Sequence, residues 1–262
     1  MQSITDPELV LNGDFEELGD DAVTNGAFDT DSSWFMSSQS TISNGAARIL
    51  STDGSYQYIA QTKIEYTNTQ SKYVKITLDI VNYVSGTLKA QFSGGTSYSF
   101  PTSVGTHTIY VLNDGSSGTF NLARVAGVTD ITIDNVSVQQ VDPNDRWTAQ
   151  NGWTLQDGLA SFGSTVSSYR KLFQENFLTI GNTYELSFEI LSISSGSIAN
   201  LETGSPSFDT VGVKTQTFVA TLDDLYLEPT NDANLTIDNI SVKDITFSED
   251  VDLARINYDS NG

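Results

Sequence analysis

Two long stretches of this 262-residue chain spell the same pattern, and a chain that repeats itself is confined to folds in which one unit is built twice. Trp34 matches Trp147, and Thr41 to Ile49 (TISNGAARI) lies over Thr154 to Phe162 (TLQDGLASF), both at an offset of 113 residues. Val74 to Gly86 (VKITLDIVNYVSG) matches Tyr184 to Gly196 (YELSFEILSISSG) at 110, and Asp130 to Val138 (DITIDNVSV) matches Asn234 to Val242 (NLTIDNISV) at 104. The offset drifts by 113 − 104 = 9 residues across the unit, which small loop insertions on one shared scaffold explain.

Periodicity predicts what that unit is made of. Val74, Ile76, Leu78 and Ile80 alternate with polar residues, as do Tyr184, Leu186, Phe188 and Ile190, the period-2 signature of half-buried strands. Ile131, Ile133, Val136 and Val138 form another such run, interrupted at Asp134-Asn135 as by a bulge. No window carries a helical stripe, and clusters such as Ser93-Gly94-Gly95, Asn113-Asp114-Gly115 and Ser194-Ser195-Gly196 fall where turns belong. The expected fold class is all-β: two tandem or nested jelly-roll β-sandwich modules related by the internal repeat.

A smaller repeat bears on how they are joined. Val10-Leu11-Asn12-Gly13-Asp14-Phe15-Glu16 resembles Val23-Thr24-Asn25-Gly26-Ala27-Phe28-Asp29, yet only the second runs directly on to a tryptophan, Trp34. Module two has Trp147 but no such segment before it. Two arrangements fit: residues 1–20 hold the first strand of module two, so that module one (21–141) is inserted ahead of the rest (142–245), or they form an arm that packs elsewhere or on a neighbouring subunit. Residues 246–262 form an extended tail too polar to pack alone.

Composition excludes much chemistry. With 33 acidic against 12 basic residues the net charge is −21, which repels phosphate backbones and anionic lipid and leaves nucleic acid and membranes as poor partners. Neither a secretion signal nor an apolar run long enough to insert in a membrane is visible. Cysteine is absent and His107 is the one histidine, so thiol nucleophiles and Cys- or His-built metal sites drop out. A Ser-His-Asp triad would need His107, which alternates with apolar residues on a strand and is matched by Gln216. Carboxylate pairs such as Asp223-Asp224 arise by chance among 33 acids. No catalytic residue is assigned, and the chain is read as not an enzyme.

An opening N-G-x-F-[ED], a tryptophan soon after, a G-x-A turn, a Y-x-[LI]-x-[FL] strand and a closing I-D-N-[VI]-S-V strand together resemble the galactose-binding-like jelly rolls of the carbohydrate-binding module 4/9 type. The wording VTNGAFDTDSSW, WTAQNGWTLQDGLA and SVKDITFSEDVDLARINYD is further similar to modules of tail-fibre and other virion structural proteins of tailed bacteriophages. There the segment matching Leu253 to Tyr258 leads into more chain, whereas here the sequence stops at Gly262, as a short relative or part of a longer fibre would.

The resemblance implies a non-enzymatic virion protein, assembled in the host cytoplasm, that decorates a capsid or forms part of a head or tail fibre. Its implied partners are capsid, tail or fibre subunits, further copies of itself as a homotrimer, and surface glycans. The alternative is a carbohydrate-binding module of an adhesin or a secreted glycan-active enzyme; a glycoside hydrolase is the remaining class. In similar jelly rolls a structural Ca2+ joins the first-strand acid to the closing-strand acid, which implies Asp29 with Asp134 and Glu16 with Asp238. Sugars in such modules stack on aromatic platforms. Trp34 and Trp147 match each other as core residues would, which leaves Trp153 (opposite Ser40), Tyr56, Tyr58 and Tyr169 as the candidates.

Overall fold

The computed structural model describes residues 7–62, 72–116, 118–163, 168–202 and 205–246. The first half folds into β1 (Leu18–Asp21), β2 (Phe35–Met36), β3 (Thr41–Ser43), β4 (Ala46–Ser51), β5 (Tyr58–Gln61), β6 (Lys72–Ser85), β7 (Leu88–Phe92), β8 (Ser97–Ser99), β9 (Gly105–Asn113), β10 (Phe120–Arg124) and β11 (Thr129–Val141). The second comprises β12 (Thr148–Ala149), β13 (Trp153–Gln156), β14 (Leu159–Gly163), β15 (Leu172–Gln174), β16 (Thr183–Ser195), β17 (Ile198–Asn200), β18 (Ser207–Phe208), β19 (Gly212–Val219), β20 (Leu225–Pro229) and β21 (Asn234–Asp244).

Each half is a sandwich of two antiparallel sheets, and the strand orders correspond one to one. In the first, β3-β4-β11-β6-β9 faces β2-β5-β10-β7-β8, with β1 added alongside β11; in the second, β13-β14-β21-β16-β19 faces β12-β15-β20-β17-β18. Alternation fills the space between the sheets. Ile76, Leu78, Ile80, Ile131 and Ile133 meet Ile59, Leu122 and Phe120 in one core, while Leu186, Phe188, Ile190 and Ile237 meet Leu172, Leu225 and Leu227 in the other. The Asp134-Asn135 interruption is a register shift with Asn135 at φ 51°, and Asn239, at φ 55°, repeats it.

The two opening segments dock identically, one on each sandwich. They are tight turns rather than the expected strand: Asn12 and Phe15 lie at φ 53° and 54°, Asn25 and Phe28 at 57° and 51°. Phe15 stacks on Trp147 and Phe28 on Trp34, each at 5.3 Å, and each indole Nε1 donates to the asparagine carbonyl, of Asn12 or of Asn25. The glycine between is obligatory. A Cβ on Gly13 would stand 2.0 Å from the Ile240 carbonyl oxygen, and one on Gly26 2.0 Å from that of Val136. A buried glutamine grips each segment by both backbone groups: Gln174 takes Leu11 N–H at 3.2 Å and donates back to its carbonyl, as Gln61 does with Thr24 at 2.9 and 2.6 Å. Leu9 donates to Val242, and Glu8 forms a β-bridge with Lys243. The second sandwich thus receives residues 8–15 and then 147–244, with strands of the first between them in the chain.

The sandwiches touch through one face. Tyr73 and Tyr110 pack against the second core, Lys72 pairs with Asp145, and the Tyr110 hydroxyl donates to Asp157 at 3.3 Å. A cleft of about 320 Å³ remains there, walled by Lys72, Tyr73, Trp147, Trp153 and Leu155.

Candidate functional site

The outward face of sheet β2-β5-β10-β7-β8 combines aromatic and polar side chains. Along β7 the core takes Leu88, Ala90 and Phe92, so Lys89 and Gln91 point out. The same alternation turns Tyr58 and Ala60 outward on β5 and Asn121 and Ala123 on β10. Register sets these in two cross-strand rows. One runs Phe35, Ala60, Asn121, Gln91, Ser97, and the other Tyr58, Ala123, Lys89, Ser99. Tyr56 flanks Tyr58 with ring centroids 5.5 Å apart. Phe35 is 60% and Tyr56 51% exposed, whereas Ala123 is wholly covered, so neighbouring side chains lie over it.

Hydrogen bonds brace this face and the loop beside it. Arg124 donates to the carbonyls of Gly54, Ser55 and Gly127 and so pins the loop that carries Tyr56. In that loop the Ser55 hydroxyl, then its amide, then Gln39 hold Asp53 down at about 2. Burial pushes the Tyr56 hydroxyl above its ordinary value. Gln91 donates to Gly95 at 2.6 Å, and Asn121 makes only long contacts through Nδ2, at 3.4 and 3.5 Å. Beside Phe35 a cleft of about 510 Å³ opens at the sheet edge, lined by Thr24, Asp31, Ser33, Trp34 and Gln61.

The matching face of the second sandwich is closed by its own contacts. Register puts Lys171 where Tyr58 stands, Phe173 for Ala60, Tyr226 for Asn121, Glu228 for Ala123 and Ala199 for Lys89. Phe173 packs on Tyr226 at 5.1 Å, and Lys171 Nζ lies 4.5 Å from the same ring. Arg170 pairs with Glu228 at 3.0 Å. The Tyr226 hydroxyl donates to Asp224 at 2.5 Å, which, with burial, raises it to about 12. Aromatic surface and charge that the first sandwich leaves open are consumed here.

No protein-family model matches the chain, and no curated protein matches it. Among solved structures it is similar to the tandem CBM22-1–CBM22-2 domain of Paenibacillus barcinonensis Xyn10C, at 10% identity and TM-score 0.33 over 86% of this chain and 98% of that one. It is also similar to a Paenibacillus xanthan lyase, at 12% identity and TM-score 0.29, over 82% of this chain and 25% of the lyase. The assignment of two jelly-roll sandwiches rests on the strand orders above.

The sequence candidates separate. Tyr56 and Tyr58 lie together on the open face. Tyr169, the counterpart of Tyr56, is 71% exposed but has no ring partner among the described residues. Trp153 is in the core: it is 5% exposed, packs on Phe162 at 5.4 Å and donates through Nε1 to the Arg170 carbonyl at 2.7 Å. Trp34 and Trp147 are core residues too. His107 bonds the Ser103 carbonyl at 2.7 Å, and register makes Lys214 rather than Gln216 its counterpart, since His107 faces Leu78 and Lys214 faces Phe188.

Of the acids implied for calcium, Asp238 has its pKa raised by burial and then by the charges of Asp14, Glu16 and Glu189. Asp134 lies across from Asp79, and Asp29 is exposed. Among the described residues no group of three or more acids is disposed to hold a metal ion. Ser248 to Gly262, including Leu253 to Tyr258, lie outside the described residues. Sequence reasoning missed Phe35, Lys89, Gln91 and Asn121. Alternation would have turned each outward, but which strands are neighbours is fixed only by the fold.

Proposed function

We infer that the chain is a glycan-binding protein whose first sandwich holds a saccharide on the outward face of sheet β2-β5-β10-β7-β8. The carrying observation is the contrast between two faces that correspond strand for strand, one with exposed Phe35 and Tyr56 and half-buried Tyr58 beside amides, the other filled by its own stacks and ion pair. Aromatic faces desolvate the apolar side of a sugar ring, and Asn121 and Gln91 supply the donors and acceptors that its hydroxyls require. Neither cross-strand row carries a carboxylate, which favours binding over paired-carboxylate chemistry at these positions.

Isothermal titration against a panel of soluble polysaccharides tests the reading. Tyr58→Ala and Phe35→Ala are each expected to weaken binding about tenfold, the loss of one stacked ring. Phe173→Ala should leave it unchanged, and the reverse ranking would overturn the assignment. The setting implied by the wording of the repeats, a virion surface with the chain as a trimer on capsid, tail or fibre subunits, is part of this proposal. Light scattering that gave a monomer at micromolar concentration would remove it.

A further inference from the structure

Resting on the glycan-face reading, we propose that this face selects an anionic glycan and that Lys89 receives the carboxylate of a uronate-type sugar. The chain holds 33 acidic residues against 12 basic ones, yet the two rows of this face contain one lysine and no acid. Among the described residues the ion pairs join Arg48 to Asp130, Lys72 to Asp145, Arg146 to Glu17 and Arg170 to Glu228, and Lys89 takes part in none. Its side chain is half-buried, and the ammonium's partner is the neutral Gln91 Oε1, at 3.3 Å. A cation held on a sheet face with only an amide for company is set to exchange that contact for a charge-assisted one.

Position makes the sugar the source of that charge. Lys89 and Tyr58 occupy one cross-strand row with Ala123 between them, two strand spacings or ~10 Å apart. A ring stacked on Tyr58 and Tyr56 therefore brings its own or its neighbour's exocyclic carboxylate towards Nζ, across the side chains that cover Ala123. The second sandwich has alanine, Ala199, at the lysine position and pairs its nearby cations internally, so this feature belongs to the open face alone. The net charge of −21 opposes a polyanion at long range, but that field is screened over ~8 Å at physiological salt. A preference for the free acid would thus have to arise locally.

The experiment compares matched polymers at fixed ionic strength: polygalacturonate, alginate and hyaluronan, each beside its methyl ester, with neutral xylan, glucan and mannan as references. Wild-type protein is expected to bind at least one free acid about tenfold more tightly than its ester. Lys89→Met should abolish that gap, and Lys89→Arg should keep it. Melting temperatures check that both variants fold. Binding of neutral polymers or esters with no preference for any free acid would overturn the inference and leave the glycan face standing. Binding to none of the polymers would overturn the glycan-face reading itself.

Discussion

Truncating Phe15 should damage a domain that the chain does not resume until more than a hundred residues later. Phe15 is 1% exposed, stacks on Trp147 and belongs to the same core as Leu186, Phe188 and Ile237. Phe15→Ala removes a full aromatic ring and leaves a cavity that the Asn12–Phe15 turn cannot refill, because Gly13 is held against Ile240. Such truncations cost ~3–5 kcal/mol, a large part of the ~5–15 kcal/mol that holds a domain folded. Hydrogen exchange read by mass spectrometry should show protection lost in β13 to β21 and kept in β4, β6 and β11. Phe28→Ala, the same deletion in the other copy, should do the reverse. Loss of protection in the first sandwich on Phe15→Ala, with the second intact, would refute the assignment of this segment.

Two other variants test the electrostatics and the placement of tryptophan. Trp153→Ala should cost ~3–5 kcal/mol of stability with no change in glycan affinity, because the indole fills the second core; calorimetry and titration on one preparation separate the two effects. Burial and the neighbouring acids raise the Asp238 pKa above its unfolded value, so its ionised form costs stability near pH 7, a cost that fades as pH falls through the raised pKa. Asp238→Asn keeps an acceptor for the Asn239 amide and should raise the melting temperature at pH 7, with a gain that shrinks in acid. An equal gain at both pH values would contradict this cause.

The sandwich was legible in the sequence because alternation and repetition report directly on which side chains face inward. Trp34 and Trp147 could be read as core because they match, and Phe15 and Phe28 likewise fill matching places. Trp153 misled because its counterpart is Ser40, which suggested a free ring. The structure shows one space filled in two ways: by a hydrogen-bonded set of Ser37, Ser40 and Gln57 in the first sandwich, and by the indole packed on Phe162 in the second. The open face was half legible. Tyr56 and Tyr58 stand out as adjacent aromatics, but Lys89, Gln91 and Asn121 join them only through strand pairings between residues far apart in the chain. The closure of the second face was hidden for the same reason, since Arg170–Glu228 and Phe173–Tyr226 are cross-strand contacts.

An NMR titration of the intact protein with a bound oligosaccharide tests the central claim most directly, because it locates the site without mutation. Shifts should concentrate in the backbone amides of β5, β7 and β10 and in the side-chain amides of Gln91 and Asn121, with the second sandwich silent. Shifts centred on β15 and β20, or on the cleft between the sandwiches near Lys72 and Trp147, would contradict it.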